Sequence, residues 1–197
     1  MIRIKQLNKK VGLLLATVYM GIPGAQAAST TFLLDYSGEP FLNSAKAHGS
    51  ITFADSQPPN PSEETLLFPD FKLEDFSLTV SGASVGNGNF DLSHFDYFSW
   101  NTKGVELELS RDLVGQSTVN GLLWASEEGA GGFGLGAKLE SGAPISLQWY
   151  VLATNGGQGD LLRLTSFAPV PIPAAVWLFG SALAGIAAFS RTARVKV

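Results

Sequence analysis

Seventeen consecutive residues from Ala174 to Ser190 carry no charge, with Pro171 and Pro173 before them and Arg191, Arg194 and Lys196 after. No polar face can be drawn through the run, which excludes an amphipathic helix lying on a water-facing core. As a helix it would span about 25 Å, just short of a ~30 Å hydrocarbon core. The sequence therefore predicts one C-terminal transmembrane helix over 174–190. Trp177 falls at the interfacial depth that suits its ring and N–H, and the basic tail 191–197 acts as a stop held on the cytoplasmic side. Gly180 with Ala184, and Ser181 with Gly185, have the small-xxx-small spacing that lets two spans pack closely.

The opposite end has a matching layout. Basic residues Arg3, Lys5, Lys9 and Lys10 precede the apolar run Val11 to Ile22, then Pro23-Gly24 and the small-residue sequence Ala25-Gln26-Ala27. This is the three-part order of a secretory signal peptide, read by the Sec translocon and cut by signal peptidase. We place it at 1–27, with cleavage between Ala27 and Ala28. Twelve apolar residues are too few for an anchor, which needs ~20. Both ends then give one topology, with the middle of the chain outside the cytoplasm.

The tail Val170-Pro171-Ile172-Pro173-Ala174-Ala175-Val176-Trp177-Leu178-Phe179-Gly180-Ser181, with its span and basic end, resembles the PEP-CTERM protein-sorting signal. The resemblance covers 170–197, with the motif at 170–173; Ile172 stands where the eponymous glutamate would be, in a Val-Pro-x-Pro-Ala-Ala variant. It implies a Gram-negative exported protein, held transiently in the inner membrane. An exosortase, a membrane-embedded cysteine transpeptidase, would then cut near the Pro-x-Pro element and pass the protein to the cell surface or extracellular matrix. Val170, Pro171, Pro173, Ala174, Ala175, Trp177 and Gly180 would be the recognised residues. Physically, prolines on both sides of Ile172 keep 170–173 out of a helix and extended, as a processing enzyme requires.

Between these ends, every one of the 17 acidic residues lies from Asp35 to Asp160, against six basic ones, a net charge of −11. Such a domain repels phosphate backbones, so nucleic acid is excluded as a partner. The chain has no cysteine, which removes disulfides, thiol catalysis and thiolate metal sites.

Alternation of apolar and polar residues dominates 28–169. Val105-Glu106-Leu107-Glu108-Leu109, Phe133 to Leu139 and Ile145 to Val151 all read as half-buried strands. From Phe71 to Val80 the apolar phase slips near Glu74-Asp75, which predicts a bulge or turn. Nine strands are expected, near 30–36, 49–54, 71–80, 90–100, 104–110, 118–126, 133–139, 144–153 and 161–167. Turn clusters such as Gln57 to Ser62 and Asn155 to Gly159 separate them. The expected fold is all-β, an acidic antiparallel β-sandwich of jelly-roll-like form. An outer-membrane barrel fits less well, because Glu106 and Glu108 would have to face a filled lumen.

Catalytic patterns are weak. His94 lies near Asp91 and Asp96 but no G-x-S-x-G elbow is present, and His48 opens a strand. The acid pairs Glu63-Glu64, Glu127-Glu128 and Glu106 with Glu108 read as solvated rather than as a glycosidase pair. In Gly131 to Lys138, Ala137 interrupts the Gly-Lys-Ser/Thr of a phosphate loop, and Gly156-Gly157-Gln158-Gly159-Asp160 is a single, misplaced copy of a calcium nonapeptide. We expect no catalytic set, no metal centre and no cofactor; calcium in the acidic loops has no nameable ligands.

The first functional reading is a non-enzymatic surface, matrix or biofilm component. The second is a polysaccharide-binding module, with exopolysaccharide stacking on aromatics from Phe90, Phe95, Tyr97, Phe98, Trp100 and Trp149; most of these are expected in the core, and alternation buries about half of Phe95, Tyr97, Phe98 and Trp100, which leaves one or two exposed. An envelope hydrolase ranks last. The export reading makes a direct prediction: N-terminal sequencing of protein from the native host should return Ala28 as the first residue. A start at Met1, or well past Ser29, would overturn it.

Overall fold

The computed structural model describes residues 29–54, 57–67, 72–138 and 143–170. Among them ten strands follow in chain order: β1 (Thr30–Ser37), β2 (Lys46–Phe53), β3 (Leu66–Leu67), β4 (Leu73–Ser81), β5 (Gly88–Asp91), β6 (Phe95–Asn101), β7 (Gly132–Ala137), β8 (Ile145–Gln148), β9 (Val151–Ala153) and β10 (Leu161–Pro169). The helical pieces are short 3-10 turns at Glu39–Phe41, Leu92–His94, Val119–Gly121 and Asn155–Gly157. No helix among the described residues is long and apolar enough to cross a membrane. The expected signal peptide at 1–27 and span at 174–190 both lie outside the described residues.

The chain is all-β and every strand pairing is antiparallel. Seven strands form one curled sheet in the order β5-β4-β2-β1-β10-β9-β8, and three form a second in the order β3-β6-β7. This order departs from the two Greek keys of the expected jelly roll. Within the large sheet β1 adjoins β2, β4 adjoins β5, and β8, β9 and β10 follow one another, so hairpins build most of it.

Period-two burial explains β1, β2 and β4, and β10 keeps it up to Leu164, where a bulge at Thr165 shifts the phase. Phe32, Leu34 and Tyr36 of β1, Ile51 and Phe53 of β2, Phe76, Leu78 and Val80 of β4, and Leu162, Leu164 and Phe167 of β10 face inward. The outer face is polar and cross-linked between strands, through Thr31 with Thr52 at 2.9 Å, Ser50 with Ser77 at 3.0 Å, and Thr79 donating to Asn89 at 2.7 Å. The phase slip near Glu74 is a bulge: Thr52 pairs with Asp75 and Phe53 with Leu73, which leaves Glu74 as the extra residue.

Aromatic rings join the two sheets. Phe76 of β4 packs edge-on against Phe95 and Phe98 of β6 at 5.1 and 5.0 Å, and Phe53 of β2 meets Trp100 at 5.9 Å. Phe167 of β10 touches Phe32, Trp100, Trp124 and Phe133, at centroid separations between 5.2 and 5.8 Å. The two buried tryptophans are also satisfied as donors, Trp100 Nε1 to Pro59 O and Trp124 Nε1 to Asn101 O. No buried side-chain nitrogen or oxygen among the described residues lacks a partner.

Several strand expectations are corrected. Residues 104–110 form no strand, although Leu107 is buried and Glu106 and Glu108 are exposed as the alternation requires. Side-chain amides replace a neighbouring strand there. Asn60 clamps Leu107, accepting from its N–H at 2.8 Å and donating to its carbonyl at 2.7 Å, and Gln116 does the same for Glu108 at 2.8 and 3.0 Å. The 118–126 segment folds back on itself through the Asn120-Gly121 turn, where φ is 56° and 77°, and keeps a single bridge between Ser117 and Leu123. The 90–100 segment is split by the turn at Leu92–His94, and the 144–153 segment by a turn at Trp149-Tyr150; Leu66–Leu67 is a strand the pattern did not indicate.

The amide clamp yields a stability prediction. Replacing Asn60 with alanine leaves the Leu107 N–H and carbonyl without their partner, which should lower the unfolding free energy by about 1–3 kcal/mol. Urea denaturation measures this, with Glu106→Ala, an exposed change, expected within ~0.5 kcal/mol of the parent. Equal midpoints for the two variants would show that the clamp contributes nothing.

Candidate functional site

Of the residues expected to carry the sorting function, Val170 is described. Its N–H donates to Thr31 O at 2.9 Å, which extends the β1–β10 pairing one step past Pro169. Pro171, Pro173, Ala174, Ala175, Trp177, Gly180, Arg191, Arg194 and Lys196 lie outside the described residues, as do Ala25, Ala27 and Ala28. Thr30 at the start of β1 and Val170 after β10 thus leave the sheet at the same pole.

At the other pole three loops are tied together. Asn43 accepts from Ala45 N and donates to Leu161 O, Ser44 donates to Gly82 O, and Asp160 accepts from Ser84 N at 2.5 Å. Leu42 protrudes there, 97% exposed, with a left-handed backbone at φ 58°. Shallow hollows of about 550 and 510 Å³ flank it. Both are open to solvent.

The histidines assemble no relay. At 91–94, Asp91 Oδ1 accepts from Ser93 N at 2.9 Å and from Ser93 Oγ at 2.5 Å, and lies 2.9 Å from His94 Nδ1. The carboxylate therefore sits between hydroxyl and imidazole, whereas nucleophilic catalysis needs the imidazole in the middle. The arrangement caps the turn at Leu92–His94. His48 pairs across strands with Asp35 at 2.5 Å on the exposed face of the large sheet. Glu108 pairs with Arg111 at 2.7 Å, and Asp160 ties its loop to Ser84. No group of three His, Asp or Glu side chains among the described residues is placed to hold a metal ion.

The aromatic segment differs most from its expected form. Alternation would bury half of Phe95, Tyr97, Phe98 and Trp100, yet Phe95, Phe98 and Trp100 are all buried and Tyr97 is 44% exposed. The cause is a further bulge: the β6–β7 register slips between Phe95 and Tyr97, which turns Phe95 to the same side as Phe98. Phe90 is buried as well, so of the proposed stacking residues only Tyr97 and the half-buried Trp149 reach solvent.

These two rings lie on a floor of glycine. Gly132, Gly134 and Gly136 share the outward face of β7, while Phe133 and Leu135 point into the core. A β-carbon on Gly136 would lie 2.1 Å from Tyr97 Cε1, and one on Gly134 would lie 3.7 Å from Trp149 Cε3 and 2.3 Å from Ser99 Oγ. The glycines thus let the rings rest directly on the sheet. In the sequence this row shows as strand alternation alone; the in-register pairing of Gly136 with Tyr97 is what unites the two features.

No match is found for the chain among protein-family models, curated proteins or solved structures.

Two carboxyls provide a pH test of the loop ties. Asp91 is held below the usual aspartate pKa, first by the Ser93 hydroxyl and then by His94 and the Ser93 N–H; Asp160 is lowered by the Ser84 N–H and hydroxyl. A carboxylate lowered by folding stabilises the fold above its unfolded value, ~3.9, and that contribution is lost as pH falls through the folded value. An NMR titration should give both carboxyls midpoints below that of a free aspartate, with the turn at Leu92–His94 loosening only under about pH 4. Midpoints at or above the ordinary value would show that these ties do not form.

Proposed function

We propose that this chain is an exported bacterial surface or extracellular-matrix protein, a non-enzymatic component delivered by a signal peptide and a PEP-CTERM-like sorting signal. The observation that carries the reading is the layout of 170–197, a Pro-x-Pro element set against an uncharged run and a basic tail. Pairing of β1 with β10 is consistent with it, since both ends then leave the domain at one pole. Signal peptidase and the Sec translocon act on the first end, exosortase on the second. The inner membrane is a transient host. We read the two sheets, joined by their aromatic core, as the sandwich of the mature ectodomain.

A second reading, binding of polysaccharide, is favoured by the Tyr97 and Trp149 rings on their glycine floor. A hydrolase has no support from the geometry around His94, His48 or the acid pairs.

The sorting reading is tested by intact-mass analysis of surface and membrane fractions. Cutting near Pro171 to Pro173 should give a surface form lacking Trp177 to Val197. Replacing both prolines with alanine lets a helix extend backward into the motif, and the full-length precursor should then accumulate in the membrane. Full-length protein in both strains, with no shortened form, would overturn the assignment.

A further inference from the structure

We infer that the outward face of β7 is a binding site for a neutral hexopyranose polymer, built from Tyr97 and Trp149 over Gly134 and Gly136. The inference deepens the polysaccharide-binding reading by naming the place and the class of sugar.

The geometry is that of a stacking platform. Tyr97 pairs in register with Gly136, and its ring is pressed so close that a β-carbon there would fall 2.1 Å from it. Trp149 approaches the same row at Gly132 and Gly134, from the turn between β8 and β9. Gly134 and Gly136 are two residues apart on one face, about 7 Å along the strand, so the two contacts lie in one row. The Tyr97 ring has one side on the Gly136 backbone, which limits the ordering it must undergo on binding. Tyr97 leaves 44% of its surface in water, an unusual position for a large ring when its neighbours Phe95, Phe98 and Trp100 are all enclosed. Pyranose rings present C–H faces to such surfaces, whereas protein side chains would require an apolar rim that Asp96, exposed beside Tyr97, does not provide.

Charge selects among glycans. The −11 that excludes nucleic acid applies equally to uronic-acid and sulfated polymers. Ring stacking does not need charge. A neutral chain is therefore the ligand that gains from the platform without meeting the repulsion.

The test is titration of the full-length chain, in mild neutral detergent, with cellohexaose, laminarihexaose and polygalacturonate, read by calorimetry and tryptophan emission. One or both neutral hexasaccharides should bind and polygalacturonate should not. Tyr97→Ala and Trp149→Ala should each weaken binding at least about tenfold, while Tyr97→Phe retains it and Phe41→Ala, at the far pole, leaves it unchanged. Thermal melting separates lost binding from lost folding. If either alanine variant unfolds, the parent's emission change on sugar addition, retained in Tyr97→Phe and absent in Trp149→Phe, takes its place. Absence of binding to both neutral sugars, equal binding by folded alanine variants, or preference for polygalacturonate would overturn the site. Because the titration uses purified protein, it stands or fails separately from the export reading, which fractionation decides.

Discussion

Phe167 is the side chain on which the rest of the fold depends. It sits near the end of β10, fully buried, against Phe32 on the neighbouring strand and against Trp100, Trp124 and Phe133 from the other side of the core. The small sheet and the irregular 102–131 region thus meet the large sheet at one ring. Its backbone is equally engaged: β9 covers β10 only from Leu161 to Arg163, and beyond that the free edge is taken over by Asp112 and Leu113. Asp112 Oδ1 accepts from Phe167 N at 2.9 Å, and Leu113 N donates to Phe167 O at 2.9 Å. A strand edge that would otherwise offer itself for aggregation is closed by a loop.

That closure explains how a region with few strands stays ordered. From Thr102 to Ala130 the chain has little ladder pairing, so its buried polar groups need other partners. Asn60, Asn101, Asp112 and Gln116 supply them, each bonding main-chain atoms of its own or another segment. Apolar alternation at Val105, Leu107 and Leu109 seats the segment on the core, and the amides satisfy its backbone. The result is a segment with the burial pattern of a strand and none of the sheet.

This is also why the sequence was only partly legible. Period two reports which side chains are buried, and it holds in β1, β2 and β4, including the slip at Glu74, whereas in β10 a bulge at Thr165 breaks it. It does not report what pairs with the backbone, so 104–110 reads as a strand when its partner is Asn60. Asn120-Gly121 in the middle of 118–126 carried a usable turn signal that outweighs the surrounding apolar residues. The bulge at Phe95/Tyr97 has no comparable signal, because a run of aromatic and polar residues fits either phase, so the sequence leaves open which ring is exposed. Glycine spacing in β7 becomes informative only once its partner strand is known.

The bulges of β4 and β6 act in opposite ways on the outer surfaces. In β4 the extra residue, Glu74, is exposed, and the slip brings Phe76, Leu78 and Val80 into the core while hydroxyl and carboxylate groups stay outside. In β6 the slip spends three rings on the core and turns Tyr97 out, where only a glycine-lined neighbour has room for it. A side chain larger than hydrogen at Gly136 would push that ring off the sheet, and at Gly134 it would collide with Ser99 as well. The outward seat of Tyr97 therefore follows from a register shift on one strand and the absence of side chains on the next, with core packing of Phe95, Phe98 and Trp100 holding the shift in place.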